Sequence, residues 1–281
     1  MKLIADSGGT RTSWCGISDS GQTEIIPTIG LNPNFVTEET LRDILSDRVL
    51  PELKTREIEE IWFYGAGCAG KAMENRIKNA FRTILPLTRT YVFSDLLGAA
   101  RGLLGTRKGF VCMIGTGSNS GYYDGQAVVS NVPPLGFILG DEGSGAYMGK
   151  RILADFLRGI MPDDLSEKFR EIYGAEKEDI VSHVYRGIFP GRFIGGFVQF
   201  LNDNIEQSYC KNLVKTSFED FVSRNLRLYN VEGTTEIAVT GSVAWNFRLI
   251  LQEVLRNNGF VITTIAREPI EGLIRFHKLQ K

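Results

Sequence analysis

The stretch that most constrains this chain is Asp6-Ser7-Gly8-Gly9-Thr10-Arg11-Thr12, directly after the short apolar run Lys2-Leu3-Ile4-Ala5. That run reads as a buried strand, and apolar residues resume at Trp14-Cys15-Gly16-Ile17, so two strands flank two glycines. Glycine has no Cβ and tolerates φ > 0, so a hairpin turn here can lay its backbone N–H groups against a phosphate. An ordinary hairpin turn also accounts for the two glycines. It does not account for an Asp leaving the strand, or for hydroxyls on both sides of an Arg. A buried carboxylate needs a partner, and a hydrated Mg²⁺ beside a polyphosphate suits Asp6.

Three later stretches share this character: Ile114-Gly115-Thr116-Gly117-Ser118-Asn119, Gly140-Asp141-Glu142-Gly143-Ser144-Gly145 and Val239-Thr240-Gly241-Ser242-Val243-Ala244. Ser94-Asp95 lies between the first turn and the second. In this order the motifs resemble the actin-like ATPase superfamily of sugar kinases, Hsp70 and actin. Within it, the chain most resembles the N-acetylglucosamine kinase family and its relatives, the activator ATPases of benzoyl-CoA reductase and 2-hydroxyacyl-CoA dehydratase. The resemblance covers nearly the whole chain, including Gly30-Leu31-Asn32-Pro33-Asn34 and Pro269-Ile270-Glu271-Gly272-Leu273. Each motif alone is weak, and their shared order is what makes the signal specific.

The resemblance implies an α/β fold of two ribonuclease H-like (actin-like ATPase) domains around a nucleotide and sugar cleft. Residues 1–105 would form the first, with a helix from 267–281 packing back on it, and 106–266 the second. The length of 281 residues suits two domains of ordinary size, and a hydrophobic fraction of 43% suffices for their cores. With 32 basic and 33 acidic residues, the charge balance argues against a general nucleic-acid or anionic-membrane surface. An anionic nucleotide must then be held by backbone amides, metal and a few placed cations.

Cys15, Cys68, Cys112 and Cys210 are scattered beside apolar residues and read as buried thiols, while His183 and His277 offer no zinc spacing. With no signal peptide and no apolar run of membrane-spanning length, the expected location is the cytoplasm.

Along the chain, runs at 2–7, 11–18 and 22–29 predict three strands, with turns at Gly8-Gly9 and Ser20-Gly21. Thr37 can cap a helix of roughly 15 residues. A strand at 58–64 precedes a helix with Met73, Ile77, Ala80, Phe81 and Ile84 at helical spacing. Tyr91-Val92-Phe93 reads as a parallel strand with Asp95 at its exit, before a helix over 96–104. Asp95 can therefore cap that helix, or act as a general base at the carboxyl end of the strand, and the two roles are compatible.

Strands at 109–114, 120–123 and 127–130, the last two around the Asp124-Gly125 hairpin, repeat the N-terminal pattern and suggest an internal duplication. A helix is expected over 144–158 and helical structure over 163–229, with glycine breaks near 174, 187–191 and 195–196 and no catalytic constellation. A strand at 236–240, a helix at 243–255 and a strand at 260–264 complete the pattern.

By resemblance, the reaction is transfer of the ATP γ-phosphoryl group to a sugar hydroxyl, foremost the 6-OH of N-acetylglucosamine or a related amino sugar. Asp95 would be the base and Asp6 the Mg²⁺ ligand, through water. Gly8, Gly9, Thr10, Arg11, Thr12, Gly115, Thr116 and Gly117 would grip phosphates, and Gly241 and Ser242 would flank the nucleoside. Asn34, Ser118, Asn119, Gly136 and Asp141 would bind the sugar. The expected partner is a small-molecule sugar, with no nucleic acid and no membrane, and a homodimer stays open. One rival is an activator ATPase carrying a [4Fe–4S] cluster, which needs clustered cysteines at a dimer interface. The other is a non-catalytic ATP-binding regulator, which would need no base.

Overall fold

The computed structural model describes residues 1–18, 21, 23–53, 57–174, 177–231 and 235–279. Ser20 of the expected second turn, Gln22 and residues 280–281 lie outside them. The chain divides into two compact units: Met1–Val111 with Tyr123–Val129 and Glu268–Lys281, and Cys112–Tyr122 with Ser130–Arg267.

The first sheet starts from a meander, β1 (Lys2–Ser7), β2 (Arg11–Ile17) and β3 (Thr23–Ile29), paired antiparallel. On the other side of β1, β4 (Glu60–Gly65) and β5 (Arg89–Ser94) add as parallel strands, giving the order β3-β2-β1-β4-β5. Between β3 and β4, Thr37 caps α1 (Glu38–Asp43) by accepting from the Thr40 N–H. That helix widens into a π-helical stretch over Ile44–Val49 and ends at Leu50-Pro51, where proline cannot donate to a further turn. α2 (Lys71–Ile84) follows β4, and α3 (Asp95–Leu104) follows β5.

β6 (Gly109–Ile114), β7 (Ser118–Tyr123) and β8 (Val128–Ser130) come next, then α4 (Gly136–Leu139) and α5 (Gly145–Arg158). β7 begins two residues earlier than its apolar pattern predicts, so Ser118 and Asn119 are strand residues. The helical region resolves into α6 (Asp163–Tyr173), α7 (Lys177–Arg186), α8 (Pro190–Gly196), α9 (Val198–Asp203) and α10 (Ser208–Arg224). β9 (Glu236–Thr240) precedes α11 (Ser242–Asn246) and α12 (Arg248–Asn257), two helices broken at Phe247 where one was expected. β10 (Val261–Ala266) and α13 (Ile270–Leu279) close the order. The second sheet runs β10-β9-β6-β7-β8, with β9 and β10 parallel. Read from β8, this is the order of the first sheet, three consecutive strands followed by two later ones.

Side-chain alternation along β1 decides what each face of the first sheet does. Leu3 and Ala5 join Trp14, Phe63 and Phe81, whose rings meet at centroid separations of 5.6–5.9 Å in the core shared with Leu41, Leu45 and Ile77. Ile4 belongs to the other face, with Cys15 and Tyr64, and is covered by Ile270, Leu273 and Ile274 of α13. Continuing the alternation, Ser7 falls on the first face and Asp6 on the face that α13 covers. All four cysteines are buried free thiols. Among the described residues, no helix is long and apolar enough to cross a membrane.

Candidate active site

In the first unit, the Gly8–Arg11 turn is closed by the Gly8 N–H donating to the Arg11 carbonyl at 2.9 Å. Beneath it, Ser7 Oγ and Thr12 Oγ1 lie 2.8 Å apart, both buried. Thr12 Oγ1 donates to the Ile29 carbonyl (2.8 Å), and the Leu31 N–H donates to Ser7 Oγ (3.1 Å). The Thr12 hydroxyl therefore works inside the sheet, while Gly9, Thr10 and Arg11 are exposed at the turn. A buried hydroxyl pair with all its partners in place fixes the strand ends, and the turn they carry, in one position.

Asp6 and Ser13 are register partners across β1 and β2, on the face that α13 covers. Two residues before α13, Glu268 accepts from Ser13 Oγ at 3.0 Å and pairs with Arg11 at 3.6 Å. Burial, and then the charges of Asp95 and Glu268, push the Asp6 carboxyl up to about 8. A carboxylate in that field gains from a nearby cation. A hydrated Mg²⁺ shared with phosphate oxygens fits it, since Mg²⁺ keeps much of its water and takes one or two carboxylates. Among the described residues, no group of three or more His, Cys, Asp or Glu could hold a metal ion.

Ser7, Gly65 and Ser94 stand level across β1, β4 and β5, which places Asp95 just past the carboxyl edge of the parallel strands. The N-cap of α3 is Ser94, whose Oγ accepts from the Leu97 N–H at 3.3 Å. Asp95 is the first helical residue, and its Oδ1 accepts from the Leu96 N–H at 2.8 Å. Burial raises this carboxyl to about 6, against the lowering effect of the backbone donors at Leu96 and at Asp95 itself. Such a group is largely ionised at neutral pH, yet a stronger base than an exposed carboxylate. Asn34 is exposed in the loop after β3, with its N–H on Asn32 Oδ1 at 3.0 Å.

In the second unit, the Gly115–Gly117 turn is closed by the Gly115 N–H on the Gly117 carbonyl at 2.9 Å. The Gly145 and Ala146 N–H groups opening α5 donate to the Gly115 and Thr116 carbonyls at 2.8 and 2.9 Å. The turn thus caps a helix that would otherwise start with orphan donors. Asp141 takes a left-handed φ of 55° and is buried, and its Oδ1 accepts from the Ser118 N–H at 3.3 Å. A Cβ at Gly117 would come within 2.9 Å of Asp141 Oδ2, so the turn and this carboxylate are fitted to each other. Burial raises Asp141 to about 6, eased by the Ser118 N–H.

Ser118 Oγ donates to the Glu142 carbonyl at 2.8 Å, and Asn119 Oδ1 accepts from Asn131 Nδ2 at 2.9 Å. Gly136, with φ 72°, opens the short α4. Gly241, with φ 120°, packs so closely on β6 that a Cβ would lie 2.2 Å from the Ile114 carbonyl oxygen, and exposed Ser242 follows it.

The structure therefore gathers Asp6, the first turn, Asp95 and Glu268 within one unit. In the other it gathers Gly115–Asn119, Asp141 and Gly241. Glu268 is the member that sequence reasoning passes over. Its only signal is its place directly before Pro269-Ile270-Glu271-Gly272-Leu273.

No protein-family model matches the chain, and no curated protein matches it either. Among solved structures, it is 40% identical to the "Putative N-acetylglucosamine Kinase" of Porphyromonas gingivalis, over 99% of this chain and 98% of that one, with a TM-score of 0.93. A "Putative N-acetylglucosamine Kinase" from Chromobacterium violaceum is 16% identical, covering 98% of both chains, with a TM-score of 0.75. A ROK family glucokinase from Streptomyces griseus, solved with glucose and AMPPNP, is 13% identical over 99% of this chain and 98% of that one, with a TM-score of 0.57. The last two likenesses are of fold alone. Two mixed five-stranded sheets, with the order of the first repeated in the second, define an α/β protein of the actin-like ATPase class. The extent of identity to the Porphyromonas protein is more specific than the fold. The chain belongs to the N-acetylglucosamine kinase family.

Proposed function

We propose that this chain transfers the γ-phosphoryl group of ATP to a sugar hydroxyl, the 6-OH of N-acetylglucosamine or a related amino sugar. The observation that carries the reading is Asp95, a half-buried carboxylate at the exit of a parallel strand, with the capping role already filled by Ser94. Identity of 40% to the "Putative N-acetylglucosamine Kinase" of Porphyromonas gingivalis supports the acceptor class. The burial of all four cysteines argues against an activator that holds an iron–sulfur cluster at a shared surface.

Phosphoryl transfer asks the protein mainly for positioning and charge stabilisation. Asp95 accepts a hydrogen bond from the acceptor hydroxyl and takes its proton as the new O–P bond forms. In the first unit the Gly8–Arg11 turn offers backbone donors to phosphate oxygens, and Thr12 holds that turn from below. Asp6 would hold a hydrated Mg²⁺, which would supply positive charge to offset that of the phosphates. In the second unit, Gly115, Thr116 and Gly117 bind phosphate, while Gly241 and Ser242 leave room for the nucleoside. Asn34, Ser118, Asn119, Gly136 and Asp141 bind sugar hydroxyls.

The test is ADP release by the purified protein across N-acetylglucosamine, glucosamine, N-acetylmuramic acid, N-acetylmannosamine and glucose, with the phosphorylated product identified by mass. One phosphosugar per ADP with an amino sugar is the expected result. ATP hydrolysis that no sugar stimulates would overturn the reading.

A further inference from the structure

Core packing does not explain one side chain of α2. Ile77, Ala80 and Phe81 bury that helix against the first sheet, while the adjacent Arg76 stays half-buried at its flank. Its guanidinium reaches back to the loop between β3 and α1. Nη1 donates to the Pro33 carbonyl and Nη2 to the Val36 carbonyl, the latter at 2.8 Å. A planar fork with two donors can hold two acceptors in one fixed relation, which a single ammonium cannot reproduce.

Between the two gripped carbonyls lie Asn34 and Phe35, both exposed, Phe35 by 65%. The same segment is tied internally. The Phe35 and Val36 N–H groups donate to the Asn32 carbonyl at 2.9 and 3.1 Å. From below, Gly67 approaches so closely that a Cβ would sit 2.2 Å from Asn32 Oδ1 and 2.7 Å from Asn34 Nδ2. The loop therefore presents an amide and an aromatic ring side by side, from a backbone held at both ends. An amide can donate to and accept from hydroxyls, and an aromatic face suits the C–H side of a pyranose.

We infer that Arg76 is the positioning residue of the acceptor site: its fork on the Pro33 and Val36 carbonyls holds Asn34 and Phe35 where they meet the sugar. The inference rests on the sugar-kinase reading above and adds the residue on which acceptor affinity depends. Arg76 touches no substrate, so its loss acts through the loop. Nucleotide binding depends on other turns and is unaffected.

The experiment compares Arg76→Ala, Arg76→Lys and Asn34→Ala with wild type. KM for N-acetylglucosamine, KM for ATP and kcat come from ADP release, and hydrogen exchange is followed on the peptide spanning residues 32–36. Arg76→Ala is expected to raise the sugar KM roughly tenfold or more, the scale on which misplacement of a contact is felt. The ATP KM should stay within about a factor of two, well short of that scale. The 32–36 amides should exchange faster, and millimolar guanidinium should restore the sugar KM of Arg76→Ala but not of Asn34→Ala. Arg76→Lys should fold normally and share the defect, which covers the case of an unstable alanine variant. An unchanged sugar KM, or equal rises in both KM values, overturns the inference. If wild type does not use N-acetylglucosamine, the same constants are measured with whichever of the sugars named above it phosphorylates, and phosphorylation of none of them overturns the kinase reading. The exchange data then still decide whether Arg76 holds the loop, because unchanged exchange denies it and faster exchange supports it.

Discussion

The Gly30 N–H donates to the Thr10 carbonyl at 2.9 Å, which pins the loop after β3 to the tip of the first glycine turn. The approach leaves no room for a side chain. A Cβ at Gly30 would lie 2.5 Å from the Gly8 carbonyl oxygen and 2.6 Å from the Gly9 carbonyl carbon. Gly30→Ala should therefore displace the turn, cost about 1–3 kcal/mol of stability, and raise the KM for ATP more than that for sugar. Thermal unfolding and initial rates check both parts. A variant with unaltered ATP kinetics would show that the turn does not bind phosphate.

Removing the base should spare binding. Asp95→Asn is expected to lower kcat by roughly 10²–10⁴, the usual contribution of general acid–base catalysis, with little change in ATP affinity by calorimetry. Near-normal turnover would leave Asp95 as nothing more than a residue of the first helical turn.

The same carboxyl predicts an acid limb. Burial holds Asp95 near 6, and a base works only when ionised. With saturating substrates, kcat should fall as pH drops through about 6 and level off above it. The residual activity of Asp95→Asn should lack this limb. A wild-type limb near the ordinary carboxylate value would separate Asp95 from the chemistry.

His277 makes a prediction about stability. It is 2% exposed, lies 2.9 Å from the Tyr64 hydroxyl, and is pushed down to about 3 by burial, then by Arg101 and Lys2. The folded chain keeps it neutral, whereas the unfolded chain protonates it below its ordinary value of 6.5. Its contribution is therefore fully present above about 6.5 and is lost as pH falls from there toward 3. His277→Gln should be less stable at pH 7, yet between pH 6 and 5 its stability should fall less steeply than wild type's, by about 1 kcal/mol per pH unit. Denaturant unfolding at several pH values measures both slopes. Parallel slopes would mean that His277 is protonated in the folded protein.

What the sequence made legible was local. Glycine punctuation and apolar runs located the first meander, the Asp124-Gly125 hairpin and the Asp95 crossing, because strands, turns and caps are written within a few residues. Contacts made by the tertiary path were not legible. Ser13 meets Glu268 across 255 residues, and Arg76 meets Pro33 across 43. The family resemblance implies that the C-terminal helix packs back on the first domain, but no spacing rule pairs Glu268 with Ser13 within it, or sets α2 beside the loop after β3. Local signals also underdetermined sites they had found. Asp95 reads from the sequence as the cap of its helix, whereas the hydrogen bond from the Leu97 N–H assigns that role to Ser94. Helical periodicity ran unbroken from Val243 to Leu255, while the chain breaks at Phe247.

The return of α13 has a consequence for biosynthesis. Ile270, Leu273 and Ile274 complete the core face that Ile4, Cys15 and Tyr64 begin. While the ribosome is still making the residues in between, α3 can lay Gly98 against Tyr64, but the ground filled by Ile270, Leu273 and Ile274 stays open, whereas the opposite face can close on α1 and α2 early. The order of folding on the ribosome is therefore expected to reverse the order of the chain for this surface. The half translated first is finished last, when residues 268–279 emerge and complete the cluster around Ile4 and Tyr64.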